Sequence, residues 1–240
     1  MQAGGSIMLQ QLQGNMNTDD DRVMTLSEMA DYLKIAKRSL LRMAQTGDIP
    51  GTKISSQWRF MRSVIDDWMI SRMKSLPKNE LEKLIQSEKV SLPLYRLLPR
   101  ELVNLELAPG PKRQVLQDLI EKLEQAGLVT DRGPFLRKLL DREDMVSTAI
   151  FPGIALPHFR KPEECPLPEP RVVLGVCREG TDFDSLDGKP TYVFFLICAG
   201  NVVIHLKIIA ELALLFRRSD LVEKLLAAPD AQGALDTLFR

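Results

Sequence analysis

A polar segment near residues 77–89 divides this chain of 240 residues into two parts with different patterns. Short amphipathic stretches rich in basic residues precede it, and longer apolar runs follow it. A chain of this length is able to bury two modest hydrophobic cores. The division predicts a multidomain protein, with a flexible tail at 1–22, a first domain at 23–73, a helical linker at 74–91 and a second domain at 92–240.

Charge is distributed unevenly between these parts. The whole chain has 32 basic and 32 acidic residues, so its formal net charge is zero. Residues 22–75 contain ten basic and five acidic residues, a net charge of +5, whereas 1–21 carry −3 and 76–240 carry −2. A basic first domain favours contact with nucleic acid, which the neutral average conceals.

The first domain begins with two short amphipathic helices. Thr25 and Glu28 have the spacing of a capping box at the start of the first helix, and the second helix stops at Gly47. Two extended segments, 52–54 and 58–61, follow with a polar turn between them, and a third helix comes next. This order predicts a small, mainly α winged helix-turn-helix domain.

The second helix is the predicted recognition helix. Its outward side chains are mostly basic or amide groups, which contact phosphates and base edges in DNA complexes. The predicted DNA-binding residues are Lys37, Arg38, Ser39, Arg42 and Gln45 on the helix, and Lys53 and Arg59 on the hairpin. Because one such domain binds DNA weakly, we expect a homodimer on a two-fold site. The alternatives are a merely solvated basic face and a winged helix that binds protein.

Four motifs of the first domain resemble the excisionase family of DNA-binding domains, which is related to the MerR type. In chain order the motifs are Leu26–Lys34, Gly47–Pro50, Trp58–Phe60 and Ile65–Trp68. The resemblance implies a recognition helix that enters the major groove of DNA. It also implies that Trp58 and Trp68 lie mostly in the core.

The second part alternates between strand and helix patterns. The predicted strands are 171–176 and 191–198, and the predicted helices are 114–128, 135–141, 202–216 and 221–238. Such alternation predicts an α/β domain with layers of helix and strand.

The second part contains both histidines of the chain and all three cysteines. His158 follows a short apolar strand, and His205 lies near the start of a predicted helix. A single histidine is more often a satisfied polar residue than a catalyst, so the pair alone favours catalysis only slightly. The cysteines are widely spaced and lack a C-x-x-C pair, so neither a disulfide framework nor a metal site is expected.

The motifs around the histidines resemble the enzyme IIA domain of the bacterial phosphotransferase system. The type is fructose/mannitol, most similar to its nitrogen-regulatory members. The motifs, spread over 92–240, are Asp141–Glu143, Ser147–Thr148, Gly153–His158, Asp182–Pro190 and His205–Leu206. The resemblance implies an α/β domain in which helices flank a mixed sheet. It also implies that His158 accepts a phosphoryl group, that His205 contacts this group, and that Arg142 is the adjacent cation. Thr148 and Gly153 are the implied members of a phosphate cradle.

The segment before His158 departs from the family pattern. The family has a glycine-rich G-I-G-N-G stretch where this chain has Ala149–Gly153. Pro152 lacks a backbone donor, and Phe151 does not adopt glycine-only dihedral angles. Phe159 stands where a glycine is common. These changes indicate either a cradle reshaped for another partner or slower phosphorylation.

Together these patterns predict a nitrogen-regulatory-like IIA protein with a DNA-binding domain, which accepts a phosphoryl group on His158 and regulates transcription. A neutral imidazole is a suitable nucleophile near neutral pH. The sequence shows no glycine-rich nucleotide loop, so the expected donor is a phosphocarrier protein and no cofactor is expected. One alternative is a phosphoryl relay to a sugar transport component. The other is a DNA-binding regulator whose IIA-like domain is not phosphorylated.

The sequence also favours the cytoplasm. Residues 1–16 lack the basic and apolar regions of a signal peptide. The densest apolar run, 192–203, is too short for a membrane span and suits a buried strand.

Overall fold

The computed structural model describes residues 23–33, 35–73 and 93–240. The chain divides into two compact units, 1–69 and 70–240, each with its own hydrophobic core. The flexible tail and the helical linker that we predicted from the sequence lie outside the described residues.

The first unit combines short strands with helices. Its elements are β1 (Val23–Thr25), α1 (Leu26–Tyr32), α2 (Lys37–Thr46), β2 (Thr52–Ile54), β3 (Gln57–Met61) and α3 (Arg62–Met73). The buried core includes Met29, Leu40, Phe60 and Ile65. The arrangement is the predicted mainly α helix-turn-helix with a β-hairpin wing.

Local sequence determines where these elements begin and end. The Thr25 hydroxyl accepts the Glu28 N–H, and the Glu28 carboxylate accepts the Thr25 N–H, which confirms the capping box. Gly47 ends α2 at a φ of 76°. Ser55 and Ser56 both have positive φ, which closes the tight hairpin between β2 and β3.

The strand β1 was missed by the sequence analysis. It pairs antiparallel with β3, with Val23 opposite Met61, so the sheet order is β1-β3-β2. β1 has only three residues and ends at the helix cap Thr25. A strand this short shows no recognisable alternation of apolar and polar residues.

The second unit is an α/β domain. Its helices are α4 (Leu94–Leu97), α5 (Lys112–Gln125), α6 (Arg132–Glu143), α7 (Val202–Leu215), α8 (Leu221–Leu226) and α9 (Ala231–Phe239), with 3₁₀ turns at Arg100–Leu102 and Pro162–Glu164. Its strands are β4 (Val103–Asn104), β5 (Ile154–Ala155), β6 (Arg171–Thr181) and β7 (Thr191–Cys198).

The sheet of this unit is mixed and has the order β4-β6-β7-β5. β6 and β7 form an antiparallel pair at its centre, and β4 and β5 run parallel to their neighbours at the edges. β7 is almost wholly buried, and β6 is buried from Val172 to Cys177, as expected for strands covered on both faces. The predicted helix-flanked mixed sheet is therefore confirmed.

The C-terminal segment differs from the prediction. A single helix was expected at 221–238, but the structure has α8 and α9 with a break between them. Pro229 cannot continue a helix, and the Asp230 carboxylate starts the next one by accepting the Gly233 N–H. No helix among the described residues is long and apolar enough to cross a membrane.

Candidate functional site

His158 lies directly beyond the edge strand β5. The Pro157 carbonyl accepts the Ile197 N–H of β7 at 2.8 Å, and this bond extends the sheet pairing up to the histidine. Only 4% of His158 is exposed. The backbone that carries His158 is thus held by the centre of the sheet.

A hydrogen bond sets the tautomer of His158. The ring atom Nδ1 lies 2.7 Å from the carbonyl oxygen of Leu156. A carbonyl oxygen only accepts, so Nδ1 carries the proton and donates it. In the neutral ring, Nε2 then holds the free lone pair and is the nucleophilic atom.

His205 lies beside His158 although it comes from another element. It belongs to the beginning of α7, whose first N–H groups are capped by the side chain of Asn201. The two imidazole rings are 5.0 Å apart between centroids and tilted by 48°. His205 is also nearly buried, with 6% exposed.

Arg142 supplies the positive charge of this site. It lies in the last turn of α6 and is 5% exposed. Its Nη1 donates to the carbonyl of Val146 at 2.8 Å. After burial, its positive charge is the next cause of the lowered pKa of both His158 and His205.

Both histidines are held in the neutral state. Burial, followed by the charge of Arg142 and by His205, holds the pKa of His158 well below its ordinary value of 6.5. Burial and then Arg142 lower the pKa of His205 to about 4, against an opposing effect of Glu163. At neutral pH the site therefore combines two neutral imidazoles with one fixed cation, which suits attack on an electrophile that carries negative charge.

The structure thus brings together His158, His205 and Arg142. Thr148 is buried near them, but its hydroxyl and its N–H both donate to the carboxylate of Glu143. A direct contact between Thr148 and a phosphoryl group would require these donors to exchange partners. Glu143 lies in the Asp141–Glu143 motif of the sequence, shortly before Ser147-Thr148, but it was not among the predicted site residues.

Gly153 supplies the left-handed residue of the unusual turn before His158. Its φ is 70°, and its carbonyl accepts the N–H groups of Tyr192 and Val193 at 2.9 and 3.0 Å. Phe151 does not adopt a positive φ, so its side chain causes no backbone strain in the turn. It is buried instead against Phe216, with ring centroids 4.8 Å apart.

Four exposed apolar side chains lie on the segments that carry this site. We call them the apolar rim: Met145, Val146, Leu186 and Val203. Val146 provides the carbonyl that holds Arg142, and Val203 precedes His205 in α7. The Leu186 N–H donates to the carbonyl of Ala149, which connects its loop to the same segment. Leu186 is the most exposed of the four, at 71%.

The predicted recognition helix of the first unit has a polar outer face. Lys37, Arg38, Arg42 and Gln45 are exposed, and Ser39 is half-buried. On the opposite face Leu40 and Ala44 are buried. The face is therefore available for contact with a polyanion.

The two basic residues of the hairpin differ from each other. Lys53 on β2 is exposed, as predicted. Arg59 is half-buried, and its guanidinium donates to the Trp58 carbonyl at 3.0 Å and to the Gln57 side chain at 2.8 Å. Contact between Arg59 and DNA would have to compete with these bonds.

Comparison with known proteins agrees with this geometry. Residues 96–240 match the model of the phosphoenolpyruvate-dependent sugar phosphotransferase system, EIIA 2, and residues 23–73 match a helix-turn-helix domain. A nitrogen regulatory protein of Bradyrhizobium diazoefficiens is 33% identical over 152 residues, which cover 61% of this chain and 95% of that protein.

Two further relatives extend the comparison. The fructose-specific EIIABC component of Bacillus subtilis is 29% identical over 147 residues, which cover 60% of this chain and only 23% of that protein. The crystal structure of the nitrogen regulatory protein IIA-Ntr from Neisseria meningitidis superimposes with a TM-score of 0.54 at 24% identity, covering 60% of this chain and 97% of that one. The chain belongs to the EIIA 2 family of the phosphoenolpyruvate-dependent sugar phosphotransferase system and carries a helix-turn-helix domain before its EIIA unit.

Proposed function

We propose that this protein accepts a phosphoryl group on Nε2 of His158 from a phosphorylated carrier protein and regulates transcription through its helix-turn-helix domain. The observation that carries the proposal is the hydrogen bond from His158 Nδ1 to the Leu156 carbonyl, next to His205 and Arg142. It leaves one ring nitrogen free for attack on phosphorus.

The transfer step uses this arrangement directly. The lone pair of Nε2 forms a bond to phosphorus while the bond between phosphorus and the donor breaks, and the electron pair of that bond returns to the donor. Arg142 offsets the negative charge of the phosphoryl oxygens, and His205 lies where it can hydrogen-bond to them. The proton on Nδ1 stays in its bond to Leu156 throughout.

The surroundings of the site favour a protein as the donor. The histidines are nearly buried, and the apolar rim lies on the segments around them. A protein surface is able to cover exposed apolar side chains, and their burial would stabilise the complex. The match to a phosphoenolpyruvate-dependent phosphotransferase family supports a phosphorylated protein of that system.

The first unit supports the regulatory part of the proposal. The exposed basic face of α2 suits binding of DNA phosphates and base edges, and the excisionase-like motifs support the same use. We place both activities in the cytoplasm, where phosphocarrier proteins and DNA are both present. Phosphorylation adds negative charge and thereby alters DNA affinity.

Intact mass spectrometry tests the acceptor role. The full chain is incubated with a phosphocarrier protein that is recharged from phosphoenolpyruvate, and a His158→Ala variant serves as the control. We expect the mass of one phosphoryl group on the wild-type chain and none on the variant. An unchanged wild-type mass, or equal labelling of both proteins, would contradict the proposal.

Anisotropy measurements with a labelled DNA fragment that the protein binds test the regulatory role. The phosphorylated chain and His158→Ala should differ in affinity at one fixed salt concentration, since only the first carries the added charge. Equal affinities would exclude regulation of DNA binding by phosphorylation.

A second candidate function is a phosphoryl relay to a sugar transport component. The similarity to the fructose-specific EIIABC component supports it. Onward transfer of labelled phosphate from the chain to a separate sugar permease component would favour the relay, and its failure would favour the regulator.

A further inference from the structure

Glu143 is a buried carboxylate at the centre of a network that ends at the site. It directly follows Arg142 at the end of α6 and is 2% exposed. Its Oε1 accepts the Thr148 N–H at 2.8 Å, and its Oε2 accepts the Thr148 hydroxyl at 2.7 Å. Burial of a carboxylate is costly unless such hydrogen bonds compensate it. The two hydrogen bonds from Thr148 therefore stabilise Glu143 in its buried position.

The first consequence concerns Arg142. The two bonds between Glu143 and Thr148 close the loop 144–147 onto the end of α6. This loop contains the Val146 carbonyl, which accepts from Arg142 Nη1 at 2.8 Å. The position of the guanidinium therefore depends on how tightly Glu143 holds the loop.

The second consequence concerns His158. The carbonyl of Thr148 accepts the Leu156 N–H at 3.1 Å. The carbonyl of Leu156 in turn accepts from Nδ1 of His158 at 2.7 Å. One residue, Thr148, thus connects Glu143 to the bond that orients the imidazole.

Lys112 holds Glu143 and a neighbouring loop from the other side. Its Nζ lies 3.9 Å from Glu143 Oε1 and 2.7 Å from Asp184 Oδ2. The same loop is bound to the Ser147–Ala149 segment, because the Ser147 hydroxyl donates to the Phe183 carbonyl at 2.6 Å. The loop that carries Leu186 of the apolar rim is thus part of the same network.

We propose that Glu143 is a positioning residue for phosphoryl transfer, which through Thr148 sets the relative positions of Arg142 and His158. This inference rests on the proposed phosphorylation of His158. Glu143 does not itself touch the phosphoryl group. Its effect is on the alignment of the cation with the attacking nitrogen, and small misalignments slow transfer strongly.

Two phosphoryl donors distinguish an effect on the alignment of the site from an effect on docking of the carrier protein. The phosphorylated carrier protein must dock on the protein surface, whereas phosphoramidate, a small chemical donor that releases ammonia on transfer, needs no docking. Glu143→Gln lacks one acceptor for the two Thr148 donors, so the maximal transfer rate should fall about tenfold with both donors. Because Met145 and Val146 of the apolar rim lie in the loop that Glu143 holds, the rate with phosphoramidate, which needs no docking, decides the positioning role.

The conservative pair at Thr148 tests the same link with little change to the fold. Thr148→Val removes the hydroxyl at nearly constant volume and should lower the rate severalfold with both donors. Thr148→Ser keeps the hydroxyl and should restore the rate. The ring ¹⁵N shifts of His158 report the tautomer directly, and they should change in Glu143→Gln and Thr148→Val only. Glu124→Gln, which breaks a surface pair with Arg132 at 3.4 Å, is the matched control.

Different outcomes contradict the positioning role of Glu143 and the proposed phosphorylation of His158. Wild-type transfer rates and unchanged ring shifts in Glu143→Gln and Thr148→Val would overturn the positioning role alone. A wild-type chain that neither donor phosphorylates would overturn the proposed function instead. If Glu143→Gln fails to fold, the two Thr148 variants still test the positioning role. Equal transfer rates for Thr148→Val and Thr148→Ser would contradict it.

Discussion

The rings of His158 and His205 lie 5.0 Å apart, one beyond the end of an edge strand and the other in the first turns of α7. The bond from Nδ1 to the Leu156 carbonyl directs the free nitrogen of His158 away from the strand that carries it. This relationship between two side chains underlies the proposed activity and the predictions about His158 and His205.

Replacement of His205 should slow transfer without abolishing it. His205→Ala removes a ring beside the acceptor but leaves Nε2 of His158 in place. We expect the rate of phosphorylation by the carrier protein to fall about 100-fold, the usual effect of losing one group that stabilises the transition state. Stopped-flow or quench-flow labelling measures this rate. Complete loss of labelling, or a rate equal to that of the wild-type chain, would contradict this supporting role of His205.

The phosphorylation rate should resist mild acid. Because the pKa of His158 lies well below 6.5, its ring stays neutral as the pH falls through 6.5. An ordinary histidine would be about three-quarters protonated at pH 6. We expect similar rates with phosphoramidate at pH 7.5 and pH 6, corrected for the donor.

Arg142→Gln provides the control for this pH dependence. Loss of the cation should raise the pKa of His158 and His205, because Arg142 lowers both. The fall of the phosphorylation rate at acidic pH should then begin at a higher pH than in the wild-type chain. Titration of the ring ¹⁵N shifts measures the change, and a wild-type His158 that titrates near 6.5 would contradict the account.

Protein stability should decrease as the pH falls from 6.5 towards 4. The folded state lowers the pKa of His205 to about 4, so in this window the unfolded state binds a proton that the folded state does not. The stabilising contribution is full above pH 6.5 and is lost near pH 4. At 1.36 kcal/mol per pKa unit, His205 accounts for about 3 kcal/mol of this loss.

A His205→Asn variant removes that contribution, together with the part of the lowered pKa of His158 that comes from His205. Unfolding free energies from urea titrations at pH 7 and pH 4.5 should differ less in the variant than in the wild-type chain. The charges facing His205, namely Arg142 and Glu163, are the same in both proteins. Parallel pH dependences would show that His205 is not held neutral by burial.

The turn before His158 should require glycine at position 153. Gly153→Ala forces a methyl group into a left-handed conformation and brings it to 3.3 Å from the Tyr192 ring. Gly188 has a similar φ of 67° with open space around it, so Gly188→Ala measures the conformational cost alone. We expect about 1–2 kcal/mol for Gly188→Ala and a larger loss for Gly153→Ala, measured by thermal unfolding. Equal losses of stability in the two variants would mean that the Tyr192 ring moves aside at little cost.

Arg42 and Arg59 of the first unit should contribute unequally to DNA binding. Arg42→Ala removes an exposed cation from α2. The slope of the logarithm of the affinity against the logarithm of the salt concentration should then decrease in magnitude by about one, the value for one phosphate contact. Arg59→Ala should have a smaller effect, because that guanidinium is bonded within the hairpin. Anisotropy titrations over a salt series measure both, and the reverse order would contradict the assigned face of α2.

Features determined by neighbouring residues were predictable from the sequence. The Thr25–Glu28 capping box and the end of α2 at Gly47 depend on local contacts, and the structure contains both. The buried strands β6 and β7 were visible as apolar runs, although β6 extends to Thr181, beyond the predicted end.

Features that depend on distant partners were not predictable in the same way. The strand β1 exists because β3 pairs with it, and no pattern within its three residues shows this. The bonds from Thr148 to Glu143 and from Arg59 to Gln57 occupy donors that the sequence alone leaves free for a ligand. Only the folded structure shows which polar groups are already hydrogen-bonded within the protein.

The most direct test of the account is the site of attachment on the phosphorylated chain. Heteronuclear NMR with ¹⁵N-labelled histidine and ³¹P detection distinguishes Nε2 from Nδ1 and His158 from His205. We predict a single phosphoryl group bonded to Nε2 of His158, with Nδ1 still protonated. Phosphate on Nδ1, on His205 or on no histidine would contradict the account.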